Sequence, residues 1–118
     1  MTMNNIITTE RIQKYFEITG QALEKAKVAP PTQTPLYAMA TDYKDMAQRY
    51  YDDAKHFYKE ENYVLAYGAL NYAHAWLDAG ARIGLFDVDH DDRLFTVDAK
   101  KEEGQPKDKE PEPSLQLF

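Results

Sequence analysis

No cysteine occurs in the chain, so disulfide frameworks, thiolate zinc sites, iron-sulfur clusters and cysteine nucleophiles are excluded together. A reducing, cytoplasmic compartment is the expectation that fits this absence. Basic residues are in deficit: 14 Lys and Arg against 20 Asp and Glu leave a formal net charge of −6, which disfavours diffuse attraction to nucleic acid or anionic lipid. The stretch MTMNNIITTER has no basic segment followed by an apolar run, so it does not read as a secretory signal. Long apolar runs are missing as well. Tyr63 to Leu77 is the longest stretch in which His74 is the only acidic or basic residue, and it falls short of the roughly 20 residues a membrane span needs. With 118 residues, a single domain whose core stands without metals or cross-links is expected.

What the chain does have is helical periodicity, organised around Tyr63 to Gly84. This stretch reads as a helix that is apolar or small on almost every side, interrupted by Asn71, His74, Asp78 and Arg82 on a single stripe. Such a helix is a central one, with neighbours on most of its circumference. Upstream, Thr8 or Thr9 begins a first helix, with Glu10 in its first turn. Ile12, Tyr15, Phe16, Thr19, Ala22, Leu23 and Ala26 form its apolar face, and it is expected to end by about Ala29. Gly20 inside it costs about 1 kcal/mol relative to alanine.

Pro30 and Pro31 break the chain, and Thr34 followed by Pro35 starts a second helix that runs to about Lys59. Its apolar positions are Leu36, Met39, Tyr43, Met46, Ala47, Tyr50, Ala54 and Phe57. The turn at Glu60 and Glu61, with Asn62 as cap, is so short that the second and third helices must be antiparallel neighbours. Small residues on the third helix, Ala66, Gly68, Ala69, Ala73, Ala79, Gly80 and Ala81, allow close approach, while Tyr63, Leu70, Trp76, Leu77 and Ile83 supply bulk. Gly84 before Leu85 and Phe86 reads as a helix terminus closed by a left-handed glycine.

Beyond it, Leu94, Phe95 and Val97 are expected to fold back over the end of the bundle. The sequence thus divides into a helical domain, residues 1–98, and a charged, proline-rich tail, residues 99–118, expected to be disordered. The tail closes on the apolar residues Leu115, Leu117 and Phe118.

From Tyr43 to Val88, YKDMAQRYYDDAKHFYKEENYVLAYGALNYAHAWLDAGARIGLFDV, together with the following DVD and RLFTV, the chain resembles an archaeal family of small helical proteins catalogued as domain of unknown function 357. The resemblance covers roughly Leu36 to Val97. It implies an archaeal source and a compact helical bundle, and brings no catalytic residue. Ala54, Phe57, Tyr63, Ala66 and Ala73 also have the spacing of one tetratricopeptide hairpin, although a solenoid needs about three such repeats.

Candidate sites follow from this layout. Tyr67, Asn71, His74, Asp78 and Arg82 form either the polar lining of a binding groove, with Arg82 anchoring an anion, or the solvent-facing strip of a buried helix. His56 and His74, each four residues from an aspartate, lack the paired Glu-x-x-His of di-metal bundles. Asp87 to Asp98 has aspartates at positions one, three and five of a calcium loop, but Asp92 replaces the turn glycine and Asp98 the bidentate glutamate. Arg49 and His56 have the spacing of a helical ribonuclease pair. The segment SLQLF resembles peptides that dock into sliding clamps, and Leu115, Leu117 and Phe118 are its anchors.

The expectation is therefore an all-α three-helix bundle built on an antiparallel hairpin of tetratricopeptide-like packing, with an acidic extension. It is expected to act as a non-enzymatic protein-interaction or adaptor module, with no metal or cofactor, a protein partner reached through the tail, and a homodimer left open. The alternative is an RNA-processing or ligand-binding enzyme that uses the polar stripe or Arg49 and His56.

Overall fold

The computed structural model describes residues 2–99. The expectations that fall on residues 100–118, a disordered tail and docking anchors at Leu115, Leu117 and Phe118, lie outside the described residues. Within them the protein is an all-α three-helix bundle: α1 (Thr9–Lys25), α2 (Pro35–Lys59) and α3 (Tyr63–Arg82). Two short strands, β1 (Lys27–Val28) and β2 (Phe86–Asp87), pair antiparallel beside them.

Each helix starts where a side chain can cap it. The Thr8 hydroxyl accepts from the Arg11 amide at 3.2 Å, Thr34 from Tyr37 at 3.4 Å, and the Asn62 carbonyl from Leu65 at 3.2 Å. Such caps contribute about 1 kcal/mol each. At its far end α3 closes as its sequence implies: Gly84 takes φ +81°, while the amides of Leu85 and Gly84 donate to the carbonyls of Gly80 and Ala81 at 2.8 and 3.3 Å. That is the paired bonding of a Schellman motif.

The end of α1 departs from expectation. The helix stops at Lys25 instead of continuing to Ala29, because Lys27 and Val28 pair with Asp87 and Phe86 and the Ala29 amide donates to Leu85 at 2.9 Å. The Lys44 ammonium also caps the freed carbonyl of Ala26 at 2.6 Å. These partners lie far away in sequence, and a pairing of strands outcompetes one more helical turn.

The seam between α2 and α3 is made of small residues. Ala40, Ala47 and Ala54 on α2, and Ala66, Ala73 and Gly80 on α3, are buried and recur every seven residues, the repeat of a helix-helix seam. Both sets are spaced symmetrically about Glu60, so an antiparallel hairpin turning there sets Ala54 level with Ala66, Ala47 with Ala73, and Ala40 with Gly80. Small side chains at such positions allow the axes to approach the close end of the usual 8–10 Å range. The larger residues expected in the α2 core are displaced: Leu36 and Met39 are each 53% exposed.

Helix α1 covers one flank of this hairpin. Ile12, Ile18, Thr19 and Ala22 are buried there. Tyr15 packs on Tyr67 with ring centroids 5.1 Å apart, Phe16 meets Tyr51 and Tyr58 edge-on, and Tyr58 stacks on Tyr63. Tyr51, Tyr58 and Tyr67 therefore hold α1 in place. Gly20 has its reason here too. A Cβ at that position would lie 2.8 Å from the Tyr51 hydroxyl oxygen, which donates to the Phe16 carbonyl at 3.2 Å.

The two glycines of α3 should respond oppositely to alanine. At Gly80 a Cβ would intrude into the Phe86 ring, so Gly80→Ala is expected to lose about 1–3 kcal/mol through overpacking. At Gly68 nothing lies within 4 Å of an added Cβ, so Gly68→Ala is expected to gain up to about 1 kcal/mol from helix propensity. Urea denaturation of both variants checks this, and equal effects would contradict the packing.

Candidate functional site

Residues 94–98 lie along the polar stripe of α3 from His74 onward and cover His74 and part of Asp78, while Arg82 stays largely exposed. His74 is only 2% exposed. Its Nε2 lies 2.8 Å from the Leu94 carbonyl oxygen and its Nδ1 3.1 Å from the Thr19 hydroxyl. A carbonyl only accepts, so Nε2 donates, and in the neutral ring Nδ1 is left to accept from Thr19. One imidazole thus ties α1, α3 and the extension together. One turn on, Asp78 accepts from the Thr96 amide at 2.9 Å and from its hydroxyl at 3.1 Å. Arg82 reaches Asp98 at 3.7 Å, and both side chains are largely exposed. Asp78 also lies 3.7 Å from the His74 ring, while Arg82 turns to Asp98 instead of to Asp78.

At the other end of the stripe, Tyr67 lies against Tyr15. Burial pushes its hydroxyl above the ordinary value, and the hydrogen bond and neighbouring hydroxyl of Tyr15 push the same way. The Asn71 side-chain oxygen is buried without a hydrogen-bond partner. Tyr67, His74 and Asp78 are thus engaged in packing or internal bonding.

The other chemical candidates are occupied as well. Asp91 spends both carboxylate oxygens internally: one caps the amides of Arg93 and Leu94 at 3.0 and 3.1 Å, and the other meets the Lys25 ammonium at 2.7 Å. Asp87 accepts from the Asp89 amide at 3.0 Å. Asp87 and Asp91 of the calcium-like loop are therefore turned to loop closure, with Asp89 and His90 at positive φ. Among the described residues no group of three or more His, Asp or Glu is placed to hold a metal ion. Arg49 pairs with Asp45 at 2.8 Å and His56 with Glu60 at 3.3 Å, all four largely exposed. Two helical turns separate Arg49 from His56, about 10 Å along the axis, and each is paired with a neighbouring carboxylate.

What remains open is the flank of the hairpin opposite α1. Successive residues advance about 100° around a helix. With Ala66, Ala73 and Gly80 at the seam, Tyr67, Leu70, His74 and Leu77 fall toward α1, while Leu65, Ala69, Tyr72, Trp76, Ala79 and Ile83 fall on the other side. No charged residue interrupts this second row. Across from it α2 presents Met39, Tyr43, Met46 and Tyr50. Tyr50 and Tyr72 meet edge-on with centroids 4.3 Å apart, and Trp76 meets Tyr43 the same way at 4.9 Å. A depression of about 210 Å³ lies among Tyr43, Tyr72, Ala75, Trp76 and Ala79. Around it Tyr72 is 46% and Ile83 63% exposed.

The sequence read most of these residues as core, because their periodicity is that of a buried face. The signal that finds the surface is the second set of positions: small residues at sevens take the seam, so the bulky row beside them must face elsewhere.

The class this defines is a small helical-hairpin bundle with a third helix on one flank and an apolar, aromatic face on the other. The chain belongs to the family described as Protein of unknown function (DUF357), whose profile matches residues 14–86. No curated protein and no solved structure matches it. The matched span begins earlier than the resemblance read from sequence and ends before the extension. It contains the seam and the open face. No helix among the described residues is long and apolar enough to cross a membrane.

Asp91 provides a pH test of how the extension is held. Burial works to raise its carboxyl, but the hydrogen bonds from Lys25 and from the Leu94 and Arg93 amides, with the Lys25 charge, outweigh it and hold it below the ordinary aspartate value. A carboxyl depressed on folding contributes stability that is complete above the unfolded value and is lost as pH falls through the folded one. Asp91→Asn should therefore be less stable than the native chain at pH 7 and show a shallower loss of stability below about pH 4. Unfolding midpoints between pH 2 and pH 7 check this, and parallel profiles would refute it.

Proposed function

We propose that the protein is a non-enzymatic interaction module of the cytoplasm that acts by contact through the open face of the α2–α3 hairpin. The observation that carries this reading is the row from Leu65 to Ile83, which runs the length of α3 without a charge and stays substantially exposed at Leu65, Tyr72 and Ile83. Contiguous apolar faces of this kind mark interaction sites in soluble proteins. Helix-presenting grooves and faces receive partners through apolar anchors spaced along them. Tyrosine and tryptophan at its centre are the residue types that dominate contact energies. The polar groups a catalyst or anion site would need are bonded within the fold, which favours binding over chemistry. The anchors Leu115, Leu117 and Phe118 are proposed as a second contact element, on their sequence alone.

A photo-crosslinking side chain placed at Ile83 tests the reading, with the same group at Lys14, exposed on α1, as control. In a lysate of the source organism, irradiation is expected to join protein to the Ile83 position and not to Lys14. Absence of protein adducts at Ile83, or equal yields at the two positions, would defeat the proposal.

A further inference from the structure

We infer that the occupant of the open face is a second copy of this chain, joined about a two-fold axis near Tyr72 so that two hairpins form a four-helix layer between two outer α1 helices. The inference rests on the reading of that face as an interaction surface, and names its partner.

The first argument is area. From Leu65 to Ile83 the face is about 27 Å long at 1.5 Å per residue, and two adjacent helices of about 10 Å diameter make it about 20 Å wide. That is on the order of 500 Å² in projection, and side-chain relief brings the accessible area toward the roughly 800 Å² per partner of a standard interface. A surface of this size is large for a three-helix domain. It needs a partner with an equally long and equally apolar face, and the described chain itself presents one.

The second argument is shape. A two-fold contact is isologous, so the patch must carry both what protrudes and what receives. Tyr72, at the middle of α3, protrudes and is 46% exposed. Beside it lies the depression of about 210 Å³ among Tyr43, Tyr72, Ala75, Trp76 and Ala79. A two-fold axis next to Tyr72 offers the ring of each copy to the depression of the other and fills both at once. Side chains nearest the axis meet their own copies, where a charge would face itself, and the residues there are Tyr72, Ala75 and Trp76.

The third argument is electrostatic. A chain of net charge −6 repels its own copies through its surface as a whole. The row from Leu65 to Ile83 carries none of that charge, whereas Asp42 and Asp53 of α2, both exposed, fall on the same flank, so copies meet without setting carboxylates against each other along the α3 row. The two-helix faces then pack as antiparallel bundles do, with apolar positions of facing helices interleaved.

The mass and the environment of Trp76, the chain's one tryptophan, test this together on the full chain. Sedimentation and light scattering from about 1 to 100 µM should show the mass rising from 13.6 kDa toward twice that value. Acrylamide quenching of Trp76 should fall over the same range, by about two-fold or more. Tyr72→Glu and Ile83→Glu, both at exposed positions, should keep the helical circular dichroism of the native chain and remain monomeric. A monomer at every concentration overturns the inference. If Trp76 is then shielded at all concentrations, and Leu115→Ser with Leu117→Ser and Phe118→Ser unshields it, the face belongs to the chain's own tail. A dimer indifferent to Tyr72→Glu also overturns it. A monomeric chain that still crosslinks another protein from Ile83 fails the inference and keeps the interaction reading, whereas a chain that does neither fails both.

Discussion

Small residues at the seam of α2 and α3 set the positions of everything else. Because Ala40, Ala47, Ala54, Ala66, Ala73 and Gly80 occupy it, the two helices approach closely and exclude bulk from the line between them. Leucines, tyrosines and the tryptophan are forced onto the two flanks of the hairpin. An alanine buries little area, so a seam of alanines contributes modest hydrophobic energy at about 25 cal/mol per Å². The hairpin therefore depends on its flanks for stability. On one of them Leu70 and Leu77 join Ile18 and Ala22 of α1 in one buried cluster, and the domain acquires its core. The other flank has the same chemistry without a covering element among the described residues.

A third side of α3 is closed by the extension, and the way it is closed explains the buried histidine. A polar group taken from water costs free energy unless its bonds are replaced. Around His74 they are: Thr19 on α1 and the Leu94 carbonyl satisfy both ring nitrogens. Phe95, fully buried, lies beside the imidazole with ring centroids 6.5 Å apart. Asp78 then fixes Thr96 by its amide and hydroxyl, so residues 94–96 are held by α3 in the same direction as the helix runs. The bonds a groove would offer to a ligand are made to the chain's own segment.

Much of this was legible in the sequence, and what was not has a common cause. Thr8, Thr34, Asn62 and Gly84 announced the helix boundaries because capping is a local exchange of hydrogen bonds. The return of Leu94, Phe95 and Val97 to the bundle followed from three apolar residues in an acidic stretch. The stop at Lys25 did not show, because the strand pairing that causes it comes from Phe86 and Asp87. The fate of the stripe was hidden for the same reason: periodicity places Asn71, His74, Asp78 and Arg82 on one face and is silent on which distant segment covers it. Leu36, Met39 and Ile83 were read as core for a different reason. Two flanks of one seam have the same periodicity, and only the number of helices available decides which is buried.

That shortage of helices also fixes how strongly the open face can hold a partner. A face of about 500 Å² in projection gives at most roughly 12 kcal/mol of gross transfer energy per copy at about 25 cal/mol per Å². Association itself costs about 4–15 kcal/mol in lost translational and rotational freedom. The two are of similar size, so the contact is a reversible one, with the Tyr43, Tyr72 and Trp76 cluster at its centre. A largely apolar face on a three-helix domain thus supports a reversible contact. The α1 flank is permanent because its helix is tethered by a ten-residue loop or shorter and is ordered with the rest of the chain, at no separate association cost. Identical chemistry on the two sides of one seam yields a core on the tethered side and an exchangeable surface on the other.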